Sequence, residues 1–200
     1  MDNNVYLLTA KASGQQILID AAADSPAIRK LLSEAALDSN VRTKLSLIVT
    51  THRHRDHLRA LAEMAKSPGV LTACGDDDAD SIAEQTGVKA DRRLSQGDIV
   101  GVEGIWLSVI RLTGHTPGSV ALAYAEAGQP VWVFSGDSLF PGGVGNTDRD
   151  PERFDTLFHD VVERIFDSYT DDTVVAPGHG NFTTLGTERP HLAEWAARGW

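Results

Sequence analysis

The chain has 200 residues, 42% of them hydrophobic, and sets 28 Asp plus Glu against 18 Lys plus Arg for a formal net charge of −10. With no basic run, that balance argues against nucleic acid as a partner, because such binding needs a basic face. No apolar stretch approaches the roughly 18–20 residues that cross a membrane, and one cysteine excludes an internal disulfide.

The apolar content is enough for one well-formed core, so one domain over 1–200 is expected. The start, Met1-Asp2-Asn3-Asn4, carries neither a basic stretch nor an apolar h-region, which points to a cytoplasmic protein without a secretory signal. The expected partner is a small molecule rather than a membrane or a nucleic acid.

In chain order, residues 5–9 and 16–20 read as a hairpin of strands. Residues 26–37 read as a helix, with Ser25 before a proline in its first turn. A strand over 45–51 precedes a helix over 58–66 and a strand over 70–73, with Cys74 read as a strand residue. Residues 77–85 form a helix stopped by Gly87, its positive end met by Asp76, Asp77 and Asp78. Strands follow at 105–112, 119–125, 131–134 and 173–176. The helix at 151–167 is capped by Asp150 and opened by Pro151, and its Phe154, Leu157, Phe158, Val161, Val162, Ile165 and Phe166 recur at helical spacing. A last helix covers 189–197, with Trp195 and Trp200 read as packing over the core. Strands alternating with helices in two similar blocks predict an α/β fold with two central sheets between outer helices.

The chemistry is concentrated at strand ends. His52-Arg53-His54-Arg55-Asp56-His57 follows the apolar run Leu45-Ser46-Leu47-Ile48-Val49. On an extended backbone His52 and His54 project the same way, and a turn into the next helix swings Asp56 and His57 around the same pocket. Imidazole and carboxylate ligands suit zinc, iron or manganese. His115 in Thr113-Gly114-His115-Thr116-Pro117-Gly118, Asp137 in Gly136-Asp137-Ser138 and His179 in Pro177-Gly178-His179-Gly180 each follow a strand-like run beside glycine. Five of the seven histidines occupy such places, and His159 and His191 read as surface groups. Arg53 and Arg55 alternate with the ligand residues and should face away from them into solvent or ion pairs.

This pattern, HxHxDH followed by a lone His, an Asp and a final His, resembles the metallo-β-lactamase-fold superfamily. The segments around His115 and Asp137 are most similar to its short glyoxalase II-like members. The resemblance implies a four-layer αβ/βα sandwich with the metals at one edge between the sheets. It implies one divalent ion on His52, His54 and His115, a second on Asp56, His57 and His179, and Asp137 bridging both, with zinc placed first and iron or manganese as alternatives. Ions about 3.5–4 Å apart share and acidify a water, which attacks a carbonyl. The implied activity is hydrolysis of a thioester or related ester, with Asp56 as both ligand and proton carrier. The same resemblance keeps open a persulfide dioxygenase-like oxidoreductase with one iron on His54, His115 and Asp137, and a non-enzymatic metal-binding module.

Substrate identity is less constrained. Only 21 residues follow His179, too few for the separate C-terminal domain that holds glutathione in two-domain glyoxalase II enzymes. The family's Gly-Arg or Gly-Lys after the Asp loop is replaced by Gly145-Asn146, which removes a cation from that position. The Gly142-Gly143-Val144-Gly145 loop is expected to form a mobile pocket rim.

Overall fold

The computed structural model of the chain describes residues 3–199. Its first half is a five-stranded sheet ordered β1 (Tyr6–Thr9), β2 (Gln15–Ile19), β3 (Lys44–Thr50), β4 (Leu71–Gly75) and β5 (Arg92–Leu94), antiparallel between β1 and β2 and parallel thereafter. Helices α1 (Ser25–Ala35), α2 (Leu61–Met64) and α3 (Asp76–Thr86) belong to this half. The second half begins with β6 (Ile99–Val102), β7 (Ile105–Arg111), β8 (Val120–Tyr124) and β9 (Trp132–Gly136). A small hairpin of β10 (Leu139–Phe140) and β11 (Gly143–Val144), helix α4 (Pro151–Val161), β12 (Val174–Pro177), β13 (Thr183–Thr184) and helices α5 (Leu185–Glu188) and α6 (Leu192–Arg198) complete it. Its six-stranded sheet runs β13-β12-β9-β8-β7-β6, with β12 and β9 parallel and the other neighbours antiparallel.

Side-chain alternation sorts the apolar residues into three packed clusters, and these define four layers. Ile17, Ile19, Leu47 and Val49 of the first sheet meet Leu107, Val109, Leu122 and Phe134 of the second. Leu18 and Ile48 point the other way and pack under Ile28 of α1, Leu61 and Met64 of α2, and Ile82 of α3. Ile110, Ala121 and Val133 pack outward against Leu157 and Val161 of α4, together with Phe166 and Trp195. The continuous hydrophobicity of 45–49 follows, because β3 is covered on both faces. The architecture is the expected αβ/βα sandwich. No helix among the described residues is long and apolar enough to cross a membrane.

Several elements differ from expectation. Asp24, in the left-handed region at φ 55°, caps α1 by accepting from the Ala27 amide, and Ser25 is already helical. Asp150 caps α4 as expected, accepting from the amides of Glu152 and Arg153. The helix expected over 58–66 shrinks to the four residues of α2. Upstream, the chain forms a 3-10 turn at Arg55–His57, and the amides of Arg59 and Ala60 bond back to the carbonyls of Ala22 and Ala21. After Val161, α4 loosens into a π-turn at Val162–Phe166. The last helix opens as a 3-10 turn at Arg189–His191. The 142–145 segment is tied down: β11 pairs with β10, the Gly142 amide donates to Glu188, and Arg198 donates to the Gly142 carbonyl. Trp195 is buried in the core, edge-on to Phe166, while Trp200 lies outside the described residues.

Candidate metal centre

Four strand ends open onto one edge of the sandwich. Beyond β3 the chain delivers His52, His54, Asp56 and His57; beyond β7, His115; beyond β9, Asp137; beyond β12, His179. All seven side chains converge there. His52, His54 and His115 form one group whose ligand atoms lie within 4.8 Å of one another, and Asp56, His57 and His179 form another. Asp137 reaches both sides, its Oδ1 3.4 Å from His57 Nε2 and its Oδ2 3.5 Å from His179 Nε2 and 3.8 Å from His115 Nε2. His54 Nδ1 stands 2.9 Å from His115 Nε2, and Asp56 Oδ2 stands 3.2 Å from His179 Nε2. His52 and His57 are buried, whereas His54 is exposed and marks the open side. Gly178 makes room for this convergence, because a Cβ there would stand 2.3 Å from Asp137 Oδ1 and 2.7 Å from His57 Cε1.

The chemistry of the donor set itself suits cations. His52 Nε2, His57 Nε2 and Asp137 Oδ1 are buried without a hydrogen-bond partner, a costly state that a cation relieves. Burial pushes the His52 imidazolium well below its ordinary pKa, and the facing His57 and His115 add to the effect. His54 and His115 are lowered too, chiefly by burial. Three neutral imidazoles with available lone pairs therefore face the first position, as metal binding requires. At the second position burial opposes the charge on His57, but Asp20 and Asp137 outweigh it and hold its pKa up at about 10. A group that favours a proton there has carboxylates in surplus, which a cation can also neutralise. Asp56 is lowered: burial raises it, but the Asn3 amide and His57 overcome that.

A ring of contacts around the ligands fixes which nitrogen each imidazole presents. Buried Asp20 Oδ2 sits 2.8 Å from His57 Nδ1, and the same carboxylate accepts from the amide and hydroxyl of Thr51. Thr51 Oγ1 lies 3.0 Å from His52 Nδ1, and the Asn146 carbonyl lies 2.7 Å from His115 Nδ1. Those three rings thus turn Nε2 inward. Buried Asp78 ties two ligand loops together, accepting from the amides of Arg53 and Gly118 and the hydroxyl of Thr116. Arg53 Nε lies 3.7 Å from the same carboxylate, the ion pair expected for a residue facing away from the centre. From α4, the Arg153 guanidinium donates to the Gly114 and His115 carbonyls, and Asp160 accepts from the Thr113 amide. Asp20, Arg153 and Asn3 are not singled out by the sequence, and Asp78 is read there only as a helix-end acid, since each acts on a segment remote in the chain. His159 and His191 stay at the surface, beside Glu163 and Glu194.

The family model described as the metallo-beta-lactamase superfamily matches residues 1–179. The chain belongs to that superfamily. Within the metallo-β-lactamase superfamily, hydroxyacylglutathione hydrolase GloC of Haemophilus influenzae is 29% identical over 187 residues, covering 86% of this chain and 83% of its own. Mitochondrial persulfide dioxygenase ETHE1 of Mus musculus is 29% identical over 174 residues, which span 87% of this chain but 62% of that protein. The solved structure of TTHA1623 in a di-iron-bound form is 30% identical with a TM-score of 0.69, covering 94% of this chain and 92% of that one. Superfamily membership and the clustered histidines make this chain a metal-dependent enzyme.

Proposed function

We propose that the chain is a dinuclear metallohydrolase acting on a thioester or a related ester. The observation that carries this reading is the pair of three-residue ligand groups joined through Asp137. His52, His54 and His115 would hold one cation and Asp56, His57 and His179 the other, with Asp137 between them and zinc as the first choice of metal. Two such ions would supply Lewis acidity for a carbonyl and lower the pKa of a water held there. Asp56 would be both a ligand and the acceptor of a proton at the centre. It is held as the carboxylate, its Oδ2 is steered by the Asn3 amide at 3.1 Å, and its side chain is 17% exposed at the rim. Burial of His52 and His57 keeps bulk water off the inner side, while exposed His54 leaves the outer side open to a substrate. A thiolate leaves with little protonation, since an ordinary thiol has a pKa near about 8.5, so a thioester needs no separate general acid. A similar protein named hydroxyacylglutathione hydrolase supports this class. The substrate is a small molecule, and the net charge of −10 weighs against nucleic acid.

Mass-spectrometric metal content of the purified protein, paired with turnover of S-lactoylglutathione and simpler thioesters, tests the reading. About two ions per chain with thioester cleavage is the expected result. One iron per chain, no cleavage, and oxygen uptake with a persulfide would replace it with the oxygenase chemistry named for the mouse relative.

A further inference from the structure

The ligand loop has a second face that the metal centre does not use. Arg55, between His54 and Asp56 in the chain, lines a cleft of about 680 Å³ together with Leu58, Arg59, Ala62, Gln85 and Thr86. That volume lies within the range of small-molecule sites. Arg55 opens the 3-10 turn and Arg59 follows one turn later, and both line the cleft beside the buried Leu58. In this acidic chain Arg53, Arg93, Arg111, Arg153, Arg164 and Arg189 each meet a carboxylate. Among the described residues Arg55 and Arg59, like Arg42, Arg92 and Arg149, have no ion pair with a carboxylate, and no acidic side chain lines the cleft. Gln85 is turned to the Arg53 carbonyl and the Thr86 hydroxyl to that of Ile82, so both are held as neutral walls. Like charges one turn apart repel. Two exposed arginines lining one cleft beside an apolar side chain suit an anion, because the guanidinium fork matches carboxylate and phosphate oxygens bidentately.

We propose that this Arg55–Arg59 cleft is a subsite for an oxyanion, carboxylate or phosphate, carried on the thiol half of the substrate. Arg55 stands between the ligand residues His54 and Asp56 in one turn, so the cleft and the metal centre share that segment of chain. The inference rests on the thioesterase reading for its substrate and on the cleft alone for its anion.

The test compares acetyl thioesters of glutathione, coenzyme A and N-acetylcysteamine on the metallated wild type and on Arg59→Gln and Arg55→Gln. Preference for the glutathione ester assigns carboxylate, and preference for the coenzyme A ester assigns phosphate. Arg59→Gln is expected to lower kcat/KM for the preferred anionic ester about tenfold through KM, with the neutral N-acetylcysteamine ester changed less than twofold. Equal loss on charged and neutral esters, or no loss on either, overturns the subsite. Titration of wild type with succinate and with inorganic phosphate, followed at the arginine Nε–H resonances, gives a readout independent of turnover. The signals that Arg55→Gln and Arg59→Gln remove should shift and saturate with one of the two anions. Shifts without cleavage of any thioester would sink the hydrolase reading and keep the subsite, whereas unmoved signals overturn the subsite whatever the turnover.

Discussion

Asp20 shows how much of the centre is built by residues that touch no metal. Its carboxylate accepts from the Thr51 amide and hydroxyl while lying 2.8 Å from His57 Nδ1, so one side chain sets the direction of a ligand and the path of its loop. Asp20→Asn keeps the shape and removes the charge that favours an imidazole with Nε2 turned inward. Metal affinity is expected to fall roughly 10–100-fold with the fold retained. Equilibrium dialysis alongside circular dichroism checks this, and unchanged affinity would remove Asp20 from the centre. The seven candidate ligand positions were legible because few residue types bind metals and they stood at strand ends, three of them beside glycine. Asp20 was not, since nothing near it in the chain reveals that His57, 37 positions later, is its partner. Cys74 is a structural residue as read: burial pushes its thiol up to about 12, the Asp78 carboxylate adding to the shift, and a neutral thiol is a poor ligand and nucleophile.

At the scale of elements, α3 does more than complement its own dipole. Asp76 and Asp77 pair outward with Arg93 and Arg111, but Asp78 turns inward and binds the loops after β3 and β7. Asp78→Ala leaves the buried Gly118 amide and the Arg53 amide without their acceptor. At about 1–3 kcal/mol for an orphaned donor, a loss of roughly 2–4 kcal/mol in stability is expected from urea unfolding. A loss below 0.5 kcal/mol would show that these loops hold themselves. The alternation of strands and helices was readable because strands buried on both faces are continuously apolar and α4 carries a strong helical stripe and cap. β5 and β6 were missed because Arg92-Arg93-Leu94 and Ile99-Val100-Gly101-Val102 are short, and the first is mostly exposed. The shortened α2 escaped for a different reason. Its first residues have ordinary helix-forming character, and only the distant carbonyls of Ala21 and Ala22 draw the chain into a turn.

Across the whole molecule, the two ligand groups are shared between the sheets: His52 and His54 come from the first and His115 from the second, and Asp56 and His57 are met by His179. A bound ion therefore cross-links the halves and stabilises the native state by mass action. Ligand at about 100 times its dissociation constant adds roughly 2.7 kcal/mol. For a chain of this size, chelation is expected to lower Tm by roughly 5–10 °C, with recovery on adding zinc. Differential scanning fluorimetry with and without chelator checks it, and an unchanged Tm would mean that the halves need no such link. The same division of ligands sets an order on biogenesis. The first group closes only when His115 has been synthesised, the bridge only with Asp137, and the second group only with His179. On the proposed ligand set, a chain stalled on the ribosome or cut in its second half would carry histidines but no complete centre. By the same ligand set, catalytic competence would be withheld until the chain beyond β12 has been made and docked, so that the molecule would proofread its own completeness before acting.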